Sequence, residues 1–377
     1  MIYFDNAATS FKKPDAVINA VKYSLTKLSA NPGRGSHKLS IAAAEQIYLA
    51  RKAVAQMFSA VEENVIFTSG CTHSINMVLK GVLEKGEHIV ISSLEHNAVV
   101  RPLTSMNADY SIAEVSLLDD EETLFNFEKA IKPNTKMIFC TAASNVTGKI
   151  LPIEKIALLC KKRGLLFGVD AAQTAGVIPI NMKKMGIDYL CIAPHKGLYA
   201  PMGVGILIAR APLNKTLIEG GTGSNSLSEL QPVTLPDGFE SGTPNLSGIM
   251  GISKGIEFVR NRGITEIYNH EIALCQYVYN NLSKNPEVIL YTPFPQKNSF
   301  VGVLPFNLKG KSSEETATFL NENVIAVRAG YHCAPSAHRC INTLNTGAVR
   351  LSFSVFNSFF EAERLIAVLQ RKNVKKY

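Results

Sequence analysis

The chain has 377 residues, 46% of them hydrophobic, with 39 lysines and arginines against 31 aspartates and glutamates, for a formal charge of +8. That length suggests two domains with a sizeable core, and no apolar run reaches the ~18 residues expected of a membrane span. The basic excess is spread out, apart from Lys161–Arg163 and a tail from Arg371 to Lys376. No nucleic-acid motif accompanies it, so it reads as solvated surface.

In chain order, Met1-Ile-Tyr-Phe-Asp5 shows neither a basic segment followed by an apolar one nor an Arg/Ser-rich leader, which predicts a cytoplasmic protein. Val65–Phe67 reads as a strand leading into a helix from near Thr72, and His88–Ile91 as a strand leading into Glu95-His96-Asn97. Lys136–Cys140 precedes Asn145, Leu165–Val169 precedes Asp170, Tyr189–Ile192 precedes Lys196, and Gly203–Ile208 reads as a further strand. This alternation predicts a mainly parallel sheet with helices on both faces, whose ligands gather beyond the carboxyl ends of the strands. Residues 214–246, rich in Gly, Ser, Thr and Pro, read as a long functional loop. A helical pattern follows from Gly248 to about Arg260, and apolar runs near 287–292, 299–306 and 347–353 predict a smaller α+β domain. The seven cysteines (Cys71, Cys140, Cys160, Cys191, Cys275, Cys333 and Cys340) make no CxxC pair and no zinc spacing, which predicts free thiols in a reducing compartment and no metal site.

Asp170-Ala-Ala-Gln173 and Ala193-Pro-His195-Lys196-Gly197 together point to chemistry. A lysine and a carboxylate on neighbouring strand ends suit pyridoxal phosphate (PLP): the amine bonds the aldehyde as a Schiff base, and the carboxylate keeps the pyridine nitrogen protonated. Thr68-Ser-Gly70-Cys71-Thr72-His73 is a Gly-containing strand-to-helix turn that suits a phosphate, or an ordinary helix start. His96 is either a loop histidine or an imidazole stacked on the cofactor ring. Asn145 is a turn residue or a partner of the cofactor's phenolic oxygen or the substrate carboxylate.

The chain resembles the cysteine desulfurases of the class V, fold-type I PLP-dependent aminotransferase superfamily. The matching segments are Tyr3–Thr9, Gly33–His37 with Leu39-Ser40, Gly70-Cys71-Thr72 with Ile75-Asn76, Glu95-His96 and Ser144-Asn145. They continue with Asp170–Gln173, His195-Lys196, Phe239–Thr243, Arg328–Cys333 and Val349-Arg350. The short segment around Cys333 is similar to the group II, SufS-like branch, of which selenocysteine lyase is a close relative. The resemblance implies an α/β fold with a mainly parallel seven-stranded sheet. Residues 15–261 would form a large PLP-binding domain, and residues 1–14 with 262–377 a small domain carrying the cysteine loop.

Carried over by position, it implies that Lys196, His96 and Cys333 are catalytic. Cys71, Thr72, His96, Asn145, Asp170, Gln173, His195, Lys196 and Thr243 would bind the cofactor, with Thr243 reaching the phosphate of the other subunit of a homodimer. Asn145, Arg350, Arg328 and His37 would bind substrate, with Tyr331 also near the mouth. Relatives carry Ser or Thr two or three residues before the lysine, where this chain has Ala193-Pro194; the 222–226 loop is the candidate replacement.

The implied reaction takes L-cysteine to L-alanine, leaves its sulfur on Cys333 as a persulfide, and hands it to an acceptor protein in iron–sulfur or other cofactor assembly. Basic neighbours of Cys333 are expected to favour its thiolate. A selenocysteine lyase acting on L-selenocysteine, a class V aminotransferase and a catalytically idle assembly partner are the alternatives.

Overall fold

A computed structural model of the chain describes residues 1–33, 35–224 and 227–370. Arg34 of the Gly33–His37 segment, residues 225 and 226 of the 222–226 loop, and the basic tail lie outside the described residues. The strands are β1 (Ile2–Tyr3), β2 (Val65–Thr68), β3 (His88–Ser92), β4 (Asp109–Ala113), β5 (Thr135–Thr141), β6 (Leu166–Asp170), β7 (Tyr189–Ile192), β8 (Gly205–Ala209), β9 (Val288–Leu290), β10 (Val303–Leu308), β11 (Ile325–Ala326) and β12 (Val349–Ser352). The helices are α1 (Asp15–Lys27), α2 (Lys38–Phe58), α3 (Cys71–Val82), α4 (Asn97–Ser105), α5 (Asp120–Lys129), α6 (Ile153–Arg163), α7 (Met182–Met185), α8 (Leu246–Arg262), α9 (Ile264–Leu282), α10 (Ser313–Glu322), α11 (Pro335–Cys340) and α12 (Phe359–Gln370).

Seven strands form one sheet in the order β2-β8-β7-β6-β5-β3-β4. The pairs β4–β3, β3–β5, β5–β6 and β6–β7 are parallel, whereas β8 runs antiparallel to both β7 and β2. Strands β2, β3, β7 and β8 are buried along their whole length, as expected of a sheet covered on both faces. Alternate side chains serve the two faces. Ile89, Ile91, Met137 and Phe139 pack with α3 and α4, while Val90, Ile138 and Cys140 pack with α2, α6 and α8. In this sheet the strand that the apolar pattern misses is β4: it lies at the edge, and two of its five residues, Asp109 and Ile112, are exposed.

A second core surrounds the antiparallel sheet β12-β10-β9, where Phe306, Val349 and Leu351 meet α9 and α12. The N-terminal segment joins this region. Strand β1 pairs in parallel with β11, Phe4 is fully buried, and Asp5 bridges to Ser352 at the end of β12. No described helix is long and apolar enough to cross a membrane. Because β3, β5, β6 and β7 share one direction, the residues that follow them emerge on the same edge of the sheet.

Candidate active site

That edge opens into a cavity of about 690 Å³, lined by Asp170, Lys196, His96, Asn145, Arg350 and Cys333 among others. Strand β6 ends in Asp170, 4% exposed. Its Oδ1 accepts from the Ala172 N–H at 2.9 Å and from the Cys71 thiol at 3.5 Å. Burial, with Asp170 beside it, pushes the Cys71 thiol well above its ordinary pKa, so the thiol stays a donor. Burial lowers the Lys196 amine, against the opposing pull of Asp170, which favours a neutral nucleophilic amine.

The loop that carries Lys196 is clamped from the N-terminus. The His195 carbonyl accepts from the Ser10 N–H at 3.2 Å, from Thr9 Oγ1 and Ser10 Oγ at 3.1 Å each, and from Lys13 Nζ at 2.9 Å. Gln173 is tied to the same segment, its Nε2 donating to the Ala7 carbonyl at 3.1 Å. Neither Ser10 nor Lys13 stands out by local spacing; the match of Tyr3–Thr9 to relatives is the only signal near them.

His96 caps α4: its Nδ1 accepts from the Ala98 N–H at 3.0 Å, so the proton of the neutral ring sits on Nε2. Burial lowers the pKa of this imidazole, with Asp170 opposing. Beneath it, Glu95 is fully buried and accepts at Oε1 from the Thr141 N–H at 2.9 Å and from the Ser92 hydroxyl. Burial pushes the Glu95 carboxyl up to about 8. Asn145 donates from Nδ2 to the His332 carbonyl at 2.8 Å, and its own carbonyl accepts from Arg350 Nη1 at 3.0 Å. The second nitrogen, Nη2, lies 2.7 Å from Asp5 Oδ1. An acid paired to Arg350 is the structural alternative that the Val-Arg-Leu-Ser run leaves open beside substrate binding; the structure identifies that acid as Asp5, from the far end of the chain.

Cys333 is exposed at the rim. It and His332 both take left-handed backbone, at φ 56° and 50°, a conformation that non-glycine residues adopt only when their surroundings hold them there. The holding bonds are visible. The Asn97 N–H donates to the Cys333 carbonyl at 2.6 Å, and His332 Nε2–H donates to the Ala348 carbonyl at 3.0 Å. Burial and the nearby Arg350 hold the His332 pKa down to about 2. The Tyr331 hydroxyl donates to the Leu344 carbonyl at 2.8 Å, tying the loop from outside. Arg328 lines the cavity, and its carbonyl accepts from the Arg350 N–H at 2.8 Å.

Several sequence-derived candidates fall elsewhere. His37 is exposed and caps α2 by accepting from the Ser40 N–H at 3.3 Å, instead of lining the cavity of its own chain. Thr243 is exposed and also outside that lining. Thr222 and Ser224 of the 222–226 loop hydrogen-bond one another at 3.1 Å, and neither lines the cavity.

The residues present fit PLP on physical grounds. Helix α3 begins at the cavity with Gly70 as its N-cap and no side-chain cap, leaving N–H groups for a phosphate beside Thr72 and His73. The buried Nδ1 of His195 has no partner among the described residues, and burial lowers its pKa to about 4. Asp170 at the other end suits a protonated ring nitrogen.

The class-V aminotransferase family model matches residues 2–365. A probable cysteine desulfurase of Pyrococcus abyssi is 32% identical over 98% of this chain and 94% of its own length. A cysteine desulfurase of Yersinia pseudotuberculosis is 31% identical over 98% and 93%. Among solved structures, the apo cysteine desulfurase of Thermococcus onnurineus superposes with a TM-score of 0.88 at 32% identity, covering 98% of this chain and 93% of that one. An Escherichia coli cysteine desulfurase in its S-sulfonic acid form gives 0.85 at 26% identity, covering 98% and 94%. Enzymes of these families depend on PLP. The chain therefore belongs to the class-V aminotransferase family and, within it, to the cysteine desulfurases.

Proposed function

We propose that this protein is a PLP-dependent desulfurase that converts L-cysteine to L-alanine and takes the sulfur onto Cys333. The observation that carries the reading is the convergence of Lys196, Asp170 and Cys333, from three distant segments, on one cavity. Bound there, PLP supplies an electron sink for the pair released at the substrate's Cα.

The chain's own residues do the rest. Arg350 binds the substrate carboxylate, and Asn145 holds that guanidinium from its carbonyl side. Lys196, whose amine burial shifts toward the neutral form, accepts the Cα proton, with His96 lining the same cavity. Asp170 balances positive charge at the far end of the cofactor. The Cys333 thiolate attacks the substrate sulfur: an S–S bond forms, the Cβ–S bond breaks with its electrons going to carbon, and protonation yields alanine. The left-handed turn at His332 and Cys333 sets the thiol at the rim, where an acceptor protein or thiol can collect the sulfur.

Thr243, exposed and outside the lining of its own cavity, serves the phosphate site of a second copy in this reading. The exposed apolar side chains of α1 and α2, among them Ile18, Leu25, Ile41 and Tyr48, supply the contact surface. The division into a large domain of residues 15–261 and a small one of 1–14 with 262–377, and a cytoplasmic location, complete the proposal.

The test is alanine and sulfide release from L-cysteine with PLP and a reducing thiol, comparing the wild type with Cys333→Ser. Stoichiometric products lost in the variant are expected. Turnover of L-cysteine that persists in Cys333→Ser would overturn the role of the thiol. Inactivity of the PLP-loaded wild type on L-cysteine, with turnover of L-selenocysteine or transamination instead, would overturn the substrate.

A further inference from the structure

Arg350 is among the largest fully buried side chains of the protein, at 1% exposure, and its guanidinium is charged at every working pH. A buried charge of that kind needs a counter-charge whether or not substrate is present. Asp5 supplies it at 2.7 Å, with 20% of its own side chain exposed. The acid arrives from the far end of the chain: β1 beside β11 and the Asp5–Ser352 bridge bring the N-terminal segment against β12. Arg350 thus faces the cavity already neutralised.

We propose that Asp5 tunes carboxylate recognition by occupying Arg350, so that the site grips an α-carboxylate weakly enough for the product amino acid to leave. The inference rests on the proposed role of Arg350 toward substrate. A substrate carboxylate on Arg350 must share the guanidinium with Asp5, and two carboxylates a few ångström apart repel one another. L-alanine carries the same carboxylate as L-cysteine, so a site with an unopposed arginine would hold product as tightly as substrate. Asp5 is a positioning residue that acts through the charge of Arg350, on substrate and product alike, without a place in proton or sulfur transfer.

The test is Asp5→Asn in the PLP-loaded enzyme, which keeps the shape and an acceptor oxygen while removing the charge. The dissociation constant of L-alanine, read from the cofactor absorption band, and the KM for L-cysteine are both expected to fall about tenfold, on the scale of one screened carboxylate–carboxylate repulsion. The melting temperature is expected to fall at the same time, because the buried Arg350 loses its counter-charge. Tighter binding in a less stable protein is a result that simple structural damage does not produce. Unchanged or weaker binding in folded Asp5→Asn overturns the proposal.

If the variant does not fold, the wild type decides the matter by binding of L-alanine against L-alaninamide. A carboxylate contribution below about thirtyfold is expected, because charged hydrogen bonds without such opposition reach higher values; a larger one overturns the proposal. Failure of the wild type to desulfurise L-cysteine would instead strike the functional reading beneath it.

Discussion

Replacing Glu95 by Gln isolates one buried acid whose titration the fold has displaced. Glu95 is fully buried; its Oε1 accepts from the Thr141 N–H and the Ser92 hydroxyl, and its Oε2 has no partner among the described residues. Burial raises its pKa from 4.5 to about 8. Between those values the folded protein keeps a proton that the unfolded chain has released. Folding stability therefore falls as pH rises, by about 1.4 kcal/mol per unit, and levels off above the folded value. Gln keeps the Oε1 acceptor and cannot ionise, and its unpartnered amide replaces an unpartnered hydroxyl. Near pH 6 the two proteins should agree within about 1 kcal/mol, and by pH 8 the wild type should have lost about 2–3 kcal/mol relative to Glu95→Gln. The assay is urea unfolding of both apoproteins at pH 6, 7, 8 and 9. Glu271, another buried acid pushed up to about 8, is common to both and cancels in the difference. A difference that is flat with pH, or that favours the wild type as pH rises, refutes the reasoning.

Arg51 holds Glu240 through two bonds of 2.9 and 2.8 Å, and Glu240 also accepts from the Phe67 N–H at 2.6 Å, with both side chains mostly buried. Arg51→Met leaves that carboxylate unpaired and should cost about 3–5 kcal/mol in urea unfolding; a loss below about 1 kcal/mol would show that water replaces the arginine. Ala193 lines the cavity at 3% exposure three residues before Lys196. Ala193→Ser should lower the PLP dissociation constant about tenfold by adding one charge-assisted hydrogen bond. Equilibrium dialysis checks it, and unchanged affinity would mean that the phosphate lies out of reach of position 193.

The buried strands were legible because their signal is local. Val65–Phe67, Ile89–Ile91 and Tyr189–Ile192 are short, largely apolar runs, each preceded by a polar residue, and each lies within a strand of the sheet. Strand β4 was not legible, since an edge strand with one wet face has no need of a continuous apolar run. The reversal of β8 was also hidden: Gly205–Ala209 reads the same whichever way it runs, and pairing partners alone set its direction. His37 shows the converse case. Its match to relatives is a statement about position in a family, while in this chain its own ring nitrogen serves the first turn of α2.

For the site, the sequence by itself determined the chemical cast. Lys196, Asp170, His96, Asn145 and Cys333 each follow or sit beside a recognisable local pattern, and residue type restricts what each can do. Only the tertiary structure decided which partners each residue keeps. Asp5 meets Arg350 across 345 positions of chain, Asn145 reaches the His332 carbonyl across 187, and Asn97 anchors Cys333 from another element altogether. Local periodicity and turn chemistry act over a few residues, whereas these contacts exist because parallel strands deliver their ends to one edge and the N-terminal segment folds back beside the last strand. Charge compensation and pKa depend on that enclosure, so Glu95 held protonated and Arg350 held neutralised are properties of the folded chain alone.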